Sequence, residues 1–166
     1  MPLTKVQAEG VNLADTFAFS GTVSGLPSGA AAFIASNDSS SWTTVADGAI
    51  CAFNDDSSND NFDTDNVYNA TTYKFVAPAA GVYMFWYGVY TANSDTGNAF
   101  GFLKNSARLN TSNGDYHSYW HGSANDHLQK GSVVINLASN DTIAVIAIGA
   151  SDFHIGHSHW GGCRLA

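Results

Sequence analysis

Phe75-Val76-Ala77-Pro78-Ala79-Ala80-Gly81-Val82-Tyr83-Met84-Phe85-Trp86-Tyr87-Gly88-Val89-Tyr90 is the stretch whose reading decides the fold. It reads as a strand, a corner at Pro78 and Gly81, and a second strand in which residues two apart share a face. Tyr83, Phe85, Tyr87 and Val89 fall on one side and Val82, Met84, Trp86 and Tyr90 on the other, so both sides demand burial. A strand with one face in water would alternate with polar residues instead. One face therefore packs into a core between two sheets, and the other needs a further layer or another subunit.

Working outward, the chain offers more short strands with turns between them. Ala31 to Ala35 reads as a strand and Ser36 to Trp42 as a polar loop; Ala49 to Phe53 reads as the next strand. Ala99 to Lys104 reads as a strand closed by a turn at Asn105-Ser106, and Val133 to Leu137 and Ile143 to Ile148 as two strands joined by Ala138-Ser139-Asn140-Asp141. The second of these, residues 143 to 148, is again apolar on both faces. Phe153-His154-Ile155, a turn at Gly156, and a strand ending in Leu165 close the chain. No window has the 3.6-residue period and caps of a helix of useful length. The fold class is all-β, a two-sheet sandwich or barrel.

Composition narrows the partners. The 166 residues suffice for one domain with one core, and 45% hydrophobic against 12% charged residues describe a folding, uncharged style of chain. A formal net charge of -8 with six Lys and Arg argues against nucleic acid or an anionic membrane as partner. No apolar run approaches a membrane span, and Met1-Pro2-Leu3-Thr4-Lys5 lacks the apolar core of a signal peptide, which predicts synthesis in the cytoplasm. Cys51 and Cys163 show neither metal spacing nor a redox pair; they read as buried free thiols or as a disulfide if their strands bring them together.

Several motifs, in order, resemble the C1q-like domain, the jelly roll shared by complement heads and tumour necrosis factor. Phe75 to Phe85 resembles its Phe-x-x-Pro-x-x-Gly-x-Tyr-x-Phe signature, and Ala32-Phe33-Ile34-Ala35-Ser36 its opening strand. Phe53 followed by Asn61-Phe62-Asp63 resembles the second strand and an aromatic-Asp turn. Leu103-Lys104-Asn105 resembles the Lys-Asn-Gly hairpin with Ser106 where Gly is usual, and Leu137 to Ile143 the Leu-x-x-Gly-Asp-x-Val turn with Asn140 in place of Gly. Trp160 to Leu165 resembles the closing strand, with Cys163 and Arg164 as departures. The resemblance covers residues 28 to 166 and implies a two-sheet jelly roll that is trimeric, its inner sheets meeting around a threefold axis, which would supply the partner that the doubly apolar strands require.

Residues 1 to 27 form a separate extended arm, with Phe17, Phe19 and Val23 as docking residues, or else a terminal strand of the same sandwich. The run Val11 to Gly25 is similar to segments of structural proteins in marine tailed phages. The implied function is a non-enzymatic bacteriophage virion protein: a capsid decoration, accessory fibre or tail-tip knob that binds other virion proteins through the arm and a host cell-surface glycan or protein through its loops. The alternatives are a secreted C1q/TNF-like ligand or lectin and, third, a polysaccharide-degrading enzyme. Against the enzyme, there is no Gly-x-Ser-x-Gly elbow, and Glu9 is the only Glu.

For receptor binding the sequence offers Tyr116, His117, Tyr119, Trp120 and His121, whose aromatic bodies and polar tips suit sugar or protein surfaces, or alternatively fill the trimer seam. Asp55, Asp56, Asp60, Asp63 and Asp65 lie in an Asn/Ser-rich segment that reads as a solvated loop or, without the Gly and Glu of an EF-hand, a weak calcium site. His157 and His159, two apart on the expected closing strand, would point to one face. A threefold axis would make of them six imidazoles around a transition metal, as in trimeric phage fibres built on His-x-His; otherwise they are ordinary surface or seam histidines.

Overall fold

The computed structural model describes residues 31–36, 39–54, 62–91, 99–109, 128–149 and 151–166. Along them run β1 (Ala32–Ser36), β2 (Trp42–Val45), β3 (Phe62–Asp63), β4 (Tyr68–Asn69), β5 (Lys74–Val76) and β6 (Gly81–Tyr90). After these come β7 (Ala99–Lys104), β8 (Ala107–Arg108), β9 (Leu128–Leu137), β10 (Thr142–Ile148) and β11 (Ser151–His154), a 3-10 turn (Ile155–His157), and β12 (His159–Arg164). They form one five-stranded sheet in the order β3-β1-β12-β6-β9, a second in the order β4-β5-β10-β7-β8, and a small pair, β11-β2. Every pairing is antiparallel, and the strands of each sheet come from distant parts of the chain, as in a jelly roll.

The corner at Pro78 explains the crossing. Pro78 has no N–H to give a ladder, so β5 stops before it and the chain re-enters as β6 in the opposite sheet. The Tyr83 hydroxyl donates to Ala79 O at 2.7 Å and ties the corner to the strand it feeds. One face of β6 then enters the core as its alternation predicts: Tyr83, Phe85, Tyr87 and Val89 are all buried. They meet Phe33, Phe75, Phe102 and Trp160 in a network of edge and stacked rings, among them Phe75–Phe85 at 5.0 Å and Phe33–Trp160 at 4.7 Å between centroids. Each such ring contributes roughly 1.5–3 kcal/mol by leaving water. The buried tyrosine hydroxyls are spent on backbone: Tyr87 donates across the sandwich to Phe100 O at 2.7 Å, and Tyr68 to Phe53 O.

The turn residues fit the chemistry read from the sequence. Asn140, in the Gly position of the β9–β10 turn, takes φ 68°, and Asn105 and Ser106 take 47° and 71°. Asn105 Nδ2 donates to Asp141 Oδ1 at 2.6 Å, its Oδ1 accepts from Thr142 N at 2.8 Å, and Asp141 Oδ2 accepts from Ala138 N. Lys104 completes the knot with an ion pair to Asp141 at 2.9 Å. These bonds, led by Lys104, hold the Asp141 carboxyl down at about 2.

Three expectations change. Ala49 to Phe53 is not a strand: it lies along β10 through Cys51 N→Val145 O, Ala147 N→Ala49 O and one bridge, Ile50–Ile146, because the Thr142–Ile143 end of that edge is already taken by β5. Trp42, placed in a loop, opens β2 instead and pairs with His154. β10 is apolar on both faces, yet Ala144 and Ile146 are as buried as Ile143 and Val145, so the chain itself covers both sides and that strand requires no second subunit.

Candidate functional site

The outward face of the sheet β3-β1-β12-β6-β9 follows directly from its register. One row across it reads Phe62–Ile34–Gly161–Trp86–Ser132, and the next Ala32–Cys163–Met84–Val134. Val134 is 60% exposed, Phe62 47% and Leu128 41%, while Met84, Trp86 and Val82 are half-buried only by one another and their neighbours. Gly161 provides the floor for the Trp86 indole, since a Cβ there would come within 2.9 Å of it. This is the second face of β6 that the sequence marks as needing a partner, and among the described residues no layer covers it except at Tyr90, where Trp42 and His157 pack.

At one end of the sandwich a second cluster forms where β2, β6 and the 3-10 turn meet. Trp42 packs edge-on against His154 at 5.1 Å and beside Tyr90 at 5.8 Å. His157 stacks on His154 at 4.0 Å and meets Tyr90 edge-on. Ser158 locks the turn, donating to His154 O at 2.7 Å while accepting from Tyr90 N. Trp42 remains 49% exposed, which leaves an indole flanked by an imidazole on the surface.

His157 and His159 do not share a strand face. His157 belongs to the 3-10 turn and β12 begins only at His159, so the two-residue period does not apply to the pair. His157 is taken up by His154 and Tyr90, whereas the His159 ring lies over Gly88. Loss of water first, and the Lys130 charge second, lower the His159 pKa. Among the described residues no group of three or more His, Cys, Asp or Glu side chains is arranged to hold a metal ion. Of the aspartate-rich segment, Asp63 is committed to the backbone, accepting from Val67 N at 2.8 Å and Tyr68 N at 2.9 Å, while Asp55, Asp56 and Asp60 lie outside the described residues. So do Phe17, Phe19 and Val23 of the arm and Tyr116, His117, Tyr119, Trp120 and His121. Cys51 and Cys163 are free thiols, Cys51 in the core and Cys163 on the outward face.

The C1q domain matches residues 32–159, most of the chain and every strand of both sheets but β12, of which it takes in only His159. The chain belongs to the C1q domain family. The fold agrees: this C1q domain is similar to the globular domain of zebrafish complement 1qA protein, with a TM-score of 0.56 at 14% identity over 82% of this chain and 97% of that one. It is similar also to Eiger TNF from S. frugiperda (0.56, 13% identity, 82% and 93% covered) and to murine APRIL (0.58, 11% identity, 82% and 99% covered). At these identities the likeness is one of fold. No curated protein sequence matches the C1q domain described here.

Trp42, Tyr90 and His154 escaped the sequence reading because they are scattered over the chain and meet only through the β2–β11 pairing and the Thr91–Phe153 bridge. The one available signal was Trp42 itself, a large aromatic at the end of a run of serines. Lys130 was equally silent, since its neighbours in the sheet come from β6 and β12.

Proposed function

We propose that this C1q domain assembles as a homotrimer through the outward face of the sheet β3-β1-β12-β6-β9 and acts as a binding module rather than an enzyme. The observation that carries the proposal is the uncovered apolar face, on which Val134, Phe62 and Leu128 stay in water in the single chain. A monomer would leave that patch as an aggregation hazard, whereas three copies closing around an axis remove it without leaving a free edge. Tumour necrosis factor-like and complement folds among the similar structures support a ligand-like role. The finer reading is a virion knob: residues 1 to 27 dock on another virion protein, and the loops, including Tyr116 to His121, meet a host glycan or protein. It is supported by the likeness of the arm to phage structural segments.

Light scattering on purified protein tests the assembly. A mass of three 17.5 kDa chains at micromolar concentration is expected, and a well-behaved monomer refutes it. A chain starting near Ser28 should keep that mass but fail to join particles; loss of folding would make the arm a structural strand instead.

A further inference from the structure

Among the described residues of β1, β12, β6 and β9, the outward face of this sheet carries a lysine and no acid. On β1, β12, β6 and β9 its residues are Ala, Ile, Ser, His, Gly, Cys, Val, Met, Trp, Tyr, Leu, Lys and Asn; the lysine is Lys130 and the histidine His159. Both stand in one row, His159–Gly88–Lys130, on either side of a glycine. The imidazole leans into the space that Gly88 leaves, so that a Cβ there would come within 2.8 Å of its Cε1. Beside the row lies an open depression of about 530 Å³ lined by Trp86, Gly88, Leu128, Lys130, Ser132 and His159, of which Leu128, Lys130 and His159 are exposed. That volume falls within the range of small-molecule sites.

Lys130 has no carboxylate at ion-pair distance among the described residues; the ion pairs there are Lys104–Asp141 and Arg108–Asp47. Lys130 is exposed, so its ammonium stands at the edge of a largely apolar face where an anion from solution can reach it. The lowered His159 pKa makes the ring a neutral hydrogen-bonding group rather than a second charge beside the lysine. Trp86 and Leu128 form an apolar wall that a bare inorganic ion would not use.

We propose that the depression binds a small organic anion, its acidic head at Lys130 with His159 and Ser132 beside it, and its apolar body against Trp86 and Leu128. The depression is built from one chain and goes beyond the trimer reading. Within the proposed trimer the same face would bring three Lys130 ammonium groups to one seam, and three bound anions would offset their repulsion.

Calorimetric titration of the full chain with octanoate tests this, with light scattering on the same samples to report assembly separately. Octanoate is expected to bind one per chain, Lys130→Met to weaken it at least tenfold, and Lys130→Arg, which keeps the charge, to retain it. Octan-1-ol should bind wild type and Lys130→Met equally, and acetate should bind at least tenfold more weakly than octanoate. Equal octanoate binding by wild type and Lys130→Met, or no binding at millimolar octanoate, overturns the proposal whatever the assembly state. A monomer in the absence of octanoate, with octanoate binding intact, would overturn the assembly reading alone.

Discussion

Val134→Ser is the sharpest perturbation of the proposed seam. Val134 sits opposite Met84 in the register and is 60% exposed, the most open of the large hydrophobic side chains on the described surface. Full burial of a valine is worth at least about 1.5 kcal/mol, so closing the open three-fifths in a trimer contributes about 0.9 kcal/mol per chain. Taken three times this is about 3 kcal/mol, roughly a hundredfold in the trimer dissociation constant. The single chain should scarcely notice, because its own contacts bury little of that side chain. Val76→Ser is the matched control: Val76 is 36% exposed but lies on β5 in the opposite sheet. Light scattering through a dilution series reads both. Because the constant for a trimer dissociating to three monomers scales with the square of concentration, the expected outcome is dissociation of Val134→Ser at roughly tenfold higher concentration than wild type, with Val76→Ser unchanged. Equal dissociation of wild type and Val134→Ser, or an equal loss in Val76→Ser, refutes assembly through this face.

Tyr87→Phe should lower stability by about 1–2 kcal/mol in thermal or urea unfolding, since it leaves the buried Phe100 carbonyl without the donor that reaches it across the sandwich. Ser106→Gly should raise stability by about 0.5–1 kcal/mol, because a serine is held at φ 71° where glycine is unstrained; an unchanged or lower melting temperature would contradict that. His159 has a folded pKa below its unfolded value, so the unfolded chain takes up the proton first and stability falls as pH drops below about 6.5. A His159→Gln variant should lose that part of the pH dependence between pH 7 and 5, and identical profiles would exclude it. Asp141 works at the acid end: its lowered carboxyl contributes stability that is present above about 4 and lost as pH falls through about 2, and Asp141→Asn should flatten the melting temperature over that interval.

What could be read from the sequence was what repeats with period two. The faces of β6 were assigned residue by residue because strand side chains alternate, as the half-buried and buried positions from Val82 to Tyr87 do, and the Pro78 corner and the Asn140 and Asn105 turns were visible because their residue types have few other uses. The uncovered face of the sheet followed from the same alternation. What was hidden depends on where edges end and on which strands become neighbours. Ala49 to Phe53 has the composition of a strand but meets only the part of β10 that β5 leaves free. The period of two at His157-Ser158-His159 was broken by a 3-10 turn, which the Ser158 hydroxyl fixes through a bond to His154 O that no local pattern announces. The row His159–Gly88–Lys130 joins three strands and exists only in the folded register.

The two thiols were placed where their reactivities differ. Cys51 is 1% exposed, and burial pushes its thiol well above the ordinary range, so it stays protonated and out of reach of any reagent that does not unfold the chain. Cys163 lies on the outward face in line with Ala32 and Met84. A thiol-specific label added to the native protein therefore has one address, and that address is on the surface through which the chains are proposed to meet. The rate at which the label attaches becomes a clock for the opening of the assembly, run by a residue the protein already has.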